Sequence, residues 1–228
     1  PYGTKSGEVV TRYSLANAHA LMEFDLKALV VACNTASAVA LPALSSALPI
    51  PVIGVIVPGA EAAVRATTTG KVAVIGTPGT IASGAYQQAL EAARASLEVH
   101  ARACPLFVPL AEEGWLDGEV PRLVAQKYLG GGFLDGVDTL VLGCTHYPLL
   151  APAIREVVGP RVTLVDSAHA TAEQLATVLQ QRDLARVQPG AVERHYLVTD
   201  TPNRFLEVGA RFLGEPLSSA RQIDLHVK

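Results

Sequence analysis

Aromatic residues make up only 5% of this 228-residue chain, with one Trp (Trp115) and one Met (Met22). Cysteine is scarcer still. Cys33, Cys104 and Cys144 are widely spaced and odd in number. They cannot build a disulfide framework, and such usage fits a reducing compartment, so a cytoplasmic setting is expected. No Cys-x-x-Cys pair is present, and no Gly-Lys-Ser/Thr phosphate loop. Charge is modest: 18 Lys+Arg against 21 Asp+Glu, net −3, with no basic cluster. That argues against a dedicated nucleic-acid binder. Between Lys27 and Glu61 there is no charge at all, but Pro42, Pro49, Pro51 and Pro58 interrupt the run. Asn34, Thr35, Ser37, Ser45 and Ser46 dilute it further, so no unbroken apolar stretch of about 20 residues remains to span a membrane. No signal peptide is visible. Because Met22 is the sole Met and the chain opens at Pro1, further residues are expected before Pro1.

What is present is a large apolar fraction, 50% of residues. That is enough for a sizeable core, and the length suits one large domain or two small ones. Apolar, β-branched runs at 28–32, 51–54, 71–75, 139–142, 162–165 and 195–198 read as strands. Several are apolar throughout, as strands covered on both faces are. Segments 6–24, 36–47, 80–97, 119–128, 149–158, 168–180 and 202–212 have helical composition. The alternation predicts an α/β fold with open, doubly wound parallel sheets, whose ligands bind at the carboxyl ends of the strands.

Two of those ends share one plan. Leu29 to Thr35 (LVVACNT) and Leu140 to His146 (LVLGCTH) each run from an apolar strand through a small residue to Cys and two polar residues. About one small α/β domain separates Cys33 from Cys144, so the chain reads as two similar halves. A thiol at a helix start faces backbone N–H groups and the positive end of the dipole, which predicts a pKa below the usual value of about 8.5. Two facing thiols could form a redox disulfide or bind metal, but neither motif has the paired spacing for it. They could instead flank a carbon centre, one removing a proton from one face while the other delivers one to the opposite face.

These residues resemble the cofactor-independent aspartate/glutamate racemase family. Val31 to Ser37 (VACNTAS) and Leu142 to Leu150 (LGCTHYPLL) are similar to its two signature motifs. The likeness continues along nearly the whole chain: the opening PYGTKS, Val74 to Ile81 (VIGTPGTI), Ser83 to Tyr86 (SGAY) and Cys104 to Leu110. Glu112 to Trp115, Leu164 to Ser167, Val198 to Pro202 and Phe212 to Gly214 also fit.

The resemblance implies two α/β halves facing across a cleft, one at 1–57 plus 167–228 and the other at 58–166. It implies racemisation of glutamate without cofactor, metal or nucleotide, supplying D-glutamate for peptidoglycan, by a homodimer. Cys33 and Cys144 would be the acid/base thiols. Tyr2 and Gly3 would contact a substrate carboxylate from the opening loop. Asn34, Thr35 and Thr145 would hold the α-carboxylate and amino group, and Thr80 would add a contact. His146 would stand beside Cys144 and assist its proton transfer, with Glu112 next to His146. A related racemase, such as an aspartate racemase, and a non-catalytic binding protein of gyrase-inhibitor type with the same fold are the alternatives. The family's first strand, carrying an Asp-Ser pair, has no counterpart here. A chain without that central strand is expected to fold poorly by itself.

Other candidates read as structural. Cys104 precedes Pro105 at a strand-like edge. His19, His100, His169, His195 and His226 have no partner at ligand spacing. Gly130 to Gly132 reads as a loop, and Trp115 as packing near the mouth of the cleft.

Overall fold

A computed structural model of the chain describes residues 2–188 and 190–225. Pro1, at the head of the opening loop, and His226 lie outside the described residues. In chain order the elements are α1 (Gly7–Leu21), β1 (Leu29–Val31), α2 (Asn34–Ala47), β2 (Val52–Gly54), α3 (Ile56–Ala66) and β3 (Lys71–Gly76). Next come α4 (Pro78–Ala82), α5 (Ala85–Ala93), β4 (Glu98–Ala103), α6 (Phe107–Glu113), α7 (Glu119–Leu129) and β5 (Thr139–Gly143). A 3₁₀ turn (Tyr147–Leu150) leads into α8 (Ala151–Val158). The chain continues with β6 (Thr163–Val165), α9 (Ala168–Gln181), β7 (Leu197–Val198), α10 (Pro202–Leu213) and β8 (Arg221–Gln222).

All described strand pairing is parallel. One sheet has the order β4-β3-β5-β6, β1 pairs with β2, and β7 pairs with β8. The four-stranded sheet shows why its central strands lack alternation in sequence. Ala73 and Ile75 of β3, with Leu140 and Leu142 of β5, face a core built with Phe107, Ala111, Leu150 and Ile154. Val72 and Val74, with Val141, face the opposite core of Ile56, Ala60, Ala63, Tyr86 and Leu90. Side chains still point alternately up and down, but both sides are buried, so every position is apolar. Each such Leu, Ile or Val contributes about 1.5–3 kcal/mol by leaving water. A third core joins α1 to α2 through Ala18, Ala40, Leu44 and Leu48.

The structure corrects the expected elements in four places. The helix expected over 80–97 is two helices, because Ser83 closes α4 and Gly84 takes φ +67° at the start of α5. Strand β4 follows where an edge strand carries polar residues, Glu98, His100 and Arg102, that mask its pattern. Helices α3 and α6 lie in stretches where no element is expected from sequence, and each contains a proline, Pro58 and Pro109. Pro58 falls in the first turn of α3, where its missing N–H costs nothing. Among the described residues no helix is long and apolar enough to cross a membrane.

Candidate active site

Cys33 leaves β1 and caps α2, so Asn34 and Thr35 occupy the first helical positions. Cys33 is half-buried; Asn34 and Thr35 are buried. Ser37 ties this turn down: its hydroxyl donates to the Val31 carbonyl (2.7 Å) and accepts from the Val55 N–H (3.2 Å).

Asn34 is fixed by Tyr86, whose phenol donates to Asn34 Oδ1 at 2.7 Å from a fully buried position. Thr35 Oγ1 lies 2.9 Å from Thr77 Oγ1 and 3.0 Å from Thr80 Oγ1, and the last two are 3.1 Å apart. This closed triangle joins α2 to the start of α4. Each hydroxyl has one proton, so the ring uses all three, and an anion binding here must turn one outward.

The opening loop docks on the same place. Gly79 N–H donates to the Gly3 carbonyl at 2.9 Å, and a Cβ at Gly3 would meet Thr77 Cβ at 2.5 Å. Only glycine allows that approach. Tyr2 accepts a hydrogen bond from Asn17 Nδ2 (3.2 Å). Burial, against the Asn17 hydrogen bond and helped by nearby Cys33, raises the Tyr2 phenol.

Cys144 leaves β5. Gly143 precedes it because a Cβ there would meet Ile75 O at 2.8 Å and the Tyr86 ring at 3.0 Å. No α-helix begins at once, which corrects the expected symmetry with Cys33. The chain turns through the 3₁₀ segment and α8 starts only at Ala151. Pro148 stands in the first turn of the 3₁₀ segment, and Leu150, at φ −93° and ψ 5°, separates that segment from α8.

Cys144 is buried, and its thiol is pushed up to about 12. Desolvation is the largest cause and nearby Cys33 adds to it, outweighing the backbone N–H groups of His146 and Tyr147 and the Thr145 hydroxyl. The lowered pKa expected from a helix start does not hold at Cys144, because burial costs the thiolate more than the N–H groups return.

His146 Nδ1 lies 3.9 Å from Cys144 Sγ and 3.4 Å from Thr145 Oγ1. Its Nε2 lies 2.8 Å from Glu112 Oε1. A carboxylate only accepts, so Nε2 carries a proton and Nδ1 faces the thiol. Beside Cys144 and Thr145 opens a cleft of about 620 Å³, walled by Ala32, Leu142, Asp166, Ser167 and Phe212.

The structure therefore gathers Tyr2, Gly3, Cys33, Asn34, Thr35 and Thr80 on one side, and Cys144, Thr145, His146 and Glu112 on the other. Tyr86 links them, with its hydroxyl on Asn34 and its ring against Gly143. Sequence reasoning missed Thr77 and Tyr86. Both lay within the recognised VIGTPGTI and SGAY stretches, but only the fold turns them toward α2. Cys104 stands apart, fully buried, with its thiol raised to about 12 by desolvation, against a small opposite effect of Arg102. Among the described residues no three His, Cys, Asp or Glu side chains converge as metal ligands.

A two-half parallel α/β fold with a cysteine at a strand end on each side of a site defines a class of proton-transfer isomerases. The chain matches the family described as Asp/Glu/Hydantoin racemase over residues 3–175, and it belongs to that family. It is 55% identical over 228 residues to the glutamate racemase of Geobacter metallireducens, covering all of this chain and 84% of that one. The crystal structure of a glutamate racemase isoform from Bacillus anthracis superposes with a TM-score of 0.90 at 40% identity, covering 100% of this chain and 85% of that one. That of the Francisella tularensis glutamate racemase in complex with D-glutamate gives 0.91 at 33% identity, again over 100% and 85%.

Proposed function

We infer that this chain is a glutamate racemase, an isomerase that interconverts L- and D-glutamate by two-thiol acid/base chemistry and supplies D-glutamate for peptidoglycan. The reading is carried by one juxtaposition: two cysteines at strand carboxyl ends, in turns joined by Tyr86, which is bonded to Asn34 and packed against Gly143. The relatives named above support glutamate over another amino acid. The halves are taken as 1–57 with 167–228, and 58–166.

In the proposed reaction one thiolate removes the α-proton and the opposite thiol delivers a proton to the other face. Cys144, raised by desolvation, rests as the thiol and is the ready donor. In the reverse direction Cys144 must give up its proton, and His146, backed by Glu112, is placed to receive it through Nδ1. Positioned acid/base groups supply about 10²–10⁴-fold. Further stabilisation comes from fixed donors aimed at the carboxylate, whose oxygens gain charge in the transition state. The Asn34 amide, the Thr35, Thr80 and Thr145 hydroxyls, and the N–H groups after each cysteine are those donors. Tyr2 and Gly3 border them from the loop. A homodimer and a cytoplasmic setting belong to the same reading.

The test is polarimetry of L- and of D-glutamate with the protein and no added cofactor. Decay of rotation to zero from both sides is expected. A stable rotation, or activity that appears only with pyridoxal phosphate or a metal, would overturn the reading.

A further inference from the structure

The His146–Glu112 pair is held from outside by α10, a helix near the end of the chain. Arg204 Nη2 donates to the Glu112 carbonyl at 3.0 Å, and Arg211 Nη1 donates to the same oxygen at 2.7 Å. Arg204 also pairs with Glu113 at 2.9 Å, and Arg211 pairs with Glu207. Two turns separate Arg204 from Arg211, so both project from one face of α10. Their shared acceptor belongs to the last turn of α6, where carbonyls lack helical partners and the dipole is negative.

The turn after α6 is shaped for this contact. Gly114 has φ +77°, and a Cβ there would meet the Arg211 guanidinium carbon at 3.1 Å. One residue beyond Arg211, the Phe212 ring meets the His146 ring edge-to-face, with centroids 5.5 Å apart and planes at 88°. Thus α10 grips the backbone of the residue that orients His146 and braces the imidazole itself.

We propose that Arg211, Arg204 and Phe212 are positioning residues for His146, so that docking of α10 onto the end of α6 sets the proton-transfer geometry at Cys144. The proposal rests on the racemase reading. It predicts one-sided behaviour, because among the described residues no hydrogen bond or ring contact joins α10 to α2 or its thiol. Since the equilibrium constant for racemisation is one, the loss in kcat/KM must be equal in both directions. The asymmetry therefore shows in isotope effects, in the direction where Cys144 removes the α-proton.

The experiment measures racemisation of α-protio and α-deutero L- and D-glutamate by the wild type and by Arg211→Ala, Arg211→Lys and Phe212→Leu. Arg194→Ala is the control, because its pair with Glu215 is exposed. Arg211→Ala should lower kcat about ten- to hundredfold, as small misplacements of reacting groups do, with KM nearly unchanged. The α-deuterium effect should rise for one enantiomer only. Arg211→Lys should recover most of the rate, since it keeps a charged donor to Glu112. Phe212→Leu keeps apolar volume at a partly exposed site and should show the same one-sided isotope effect. The hydrogen-bonded Nε2–H proton of His146, read by NMR, should be sharp in the wild type and in Arg194→Ala, and broadened in Arg211→Ala and Phe212→Leu.

Active wild type with unchanged kcat, isotope effects and NMR signal in Phe212→Leu and Arg211→Ala would overturn the inference while leaving the racemase reading intact. So would a lower Tm as the only change. Should Arg211→Ala fail to fold, Phe212→Leu and Arg211→Lys decide by the same readouts. An inactive wild type would overturn the racemase reading, and the inference with it.

Discussion

The two cysteine turns start from nearly the same sequence plan and end in different environments. On the Cys33 side the helix begins at once, the thiol is half-buried, and its neighbours are neutral groups locked in place: Asn34 by Tyr86, and Thr35 by Thr77 and Thr80. On the Cys144 side a 3₁₀ turn precedes the helix, the thiol is buried, and a titratable pair, His146 and Glu112, stands behind it. The difference teaches that a strand–Cys–polar–polar pattern fixes where a thiol stands but not how it ionises. At Cys144 burial decides that, and burial is set largely by chain remote in sequence. On the proposed reading, the first side would hold the substrate and the second would move a proton through a desolvated thiol.

The largest expected effect comes from removing either thiol. Cys33→Ala and Cys144→Ala should each lower racemisation at least about 10²–10⁴-fold, with the circular dichroism spectrum and melt retained. Cys104→Ala, in the core away from both turns, should leave turnover near normal. Near-normal rates in either of the first two variants would erase the distinction between a working pair and a buried spare.

Next in size are the groups behind Cys144. His146→Asn and Glu112→Gln should each cost about 10–100-fold in kcat, with the α-deuterium effect enlarged for one enantiomer. Equal isotope effects in both directions would mean that the two sides are not specialised.

Acid stability tests a region away from both cysteine turns, the start of β5. Asp138, at the start of β5, is pushed up by partial burial but drawn further down by hydrogen bonds from the Thr67 hydroxyl, the Thr69 and Thr68 N–H groups and the Thr68 hydroxyl. Its carboxyl sits well below the usual range. A carboxylate lowered on folding stabilises above its unfolded pKa, and that contribution is lost as pH falls through the folded value. Asp138→Asn should therefore cost about 1–3 kcal/mol at pH 7 and progressively less in acid. Urea melts at pH 7 and pH 3 measure it, and a pH-independent cost would refute the assignment.

The smallest effect is on labelling. Iodoacetamide should modify half-buried Cys33 before buried Cys144 and Cys104. At Cys144 the rate should climb about tenfold per pH unit through the alkaline range, as thiolate forms from a thiol near 12. Mass mapping of the labelled peptides reads the order, and prior labelling of Cys144 at neutral pH would contradict its desolvation.

Much of this was legible in the residues. The unbroken apolar runs of β3 and β5 marked a sheet covered on both faces, and the repeated cysteine plan marked both thiols. The family likeness added His146, Glu112 and Thr80. Strand β4 was hidden because Glu98, His100 and Arg102 lie at a sheet edge, where polar residues are tolerated. Thr77 and Tyr86 escaped because their partners, Thr35 and Asn34, are about forty to fifty residues away, a separation that local periodicity does not report. The raised thiol of Cys144 could not be read from a helix-start motif, since desolvation depends on everything packed around it. Arg204, Arg211 and Phe212 lay in a stretch read as helical, 202–212, and only the fold sets them against α6.

The central claim, two thiols on opposite faces of one carbon, is tested most directly by racemising L-glutamate in deuterated water and analysing both enantiomers early in the reaction. A base that carries only the abstracted proton returns it to the substrate face, while the opposite thiol delivers solvent deuterium. The D-glutamate formed should carry α-deuterium from the first turnovers, while the remaining L-glutamate stays protiated, and the reaction from D-glutamate should mirror this. Early product that retains the α-proton, or deuterium washed equally into substrate and product, would contradict the two-thiol account.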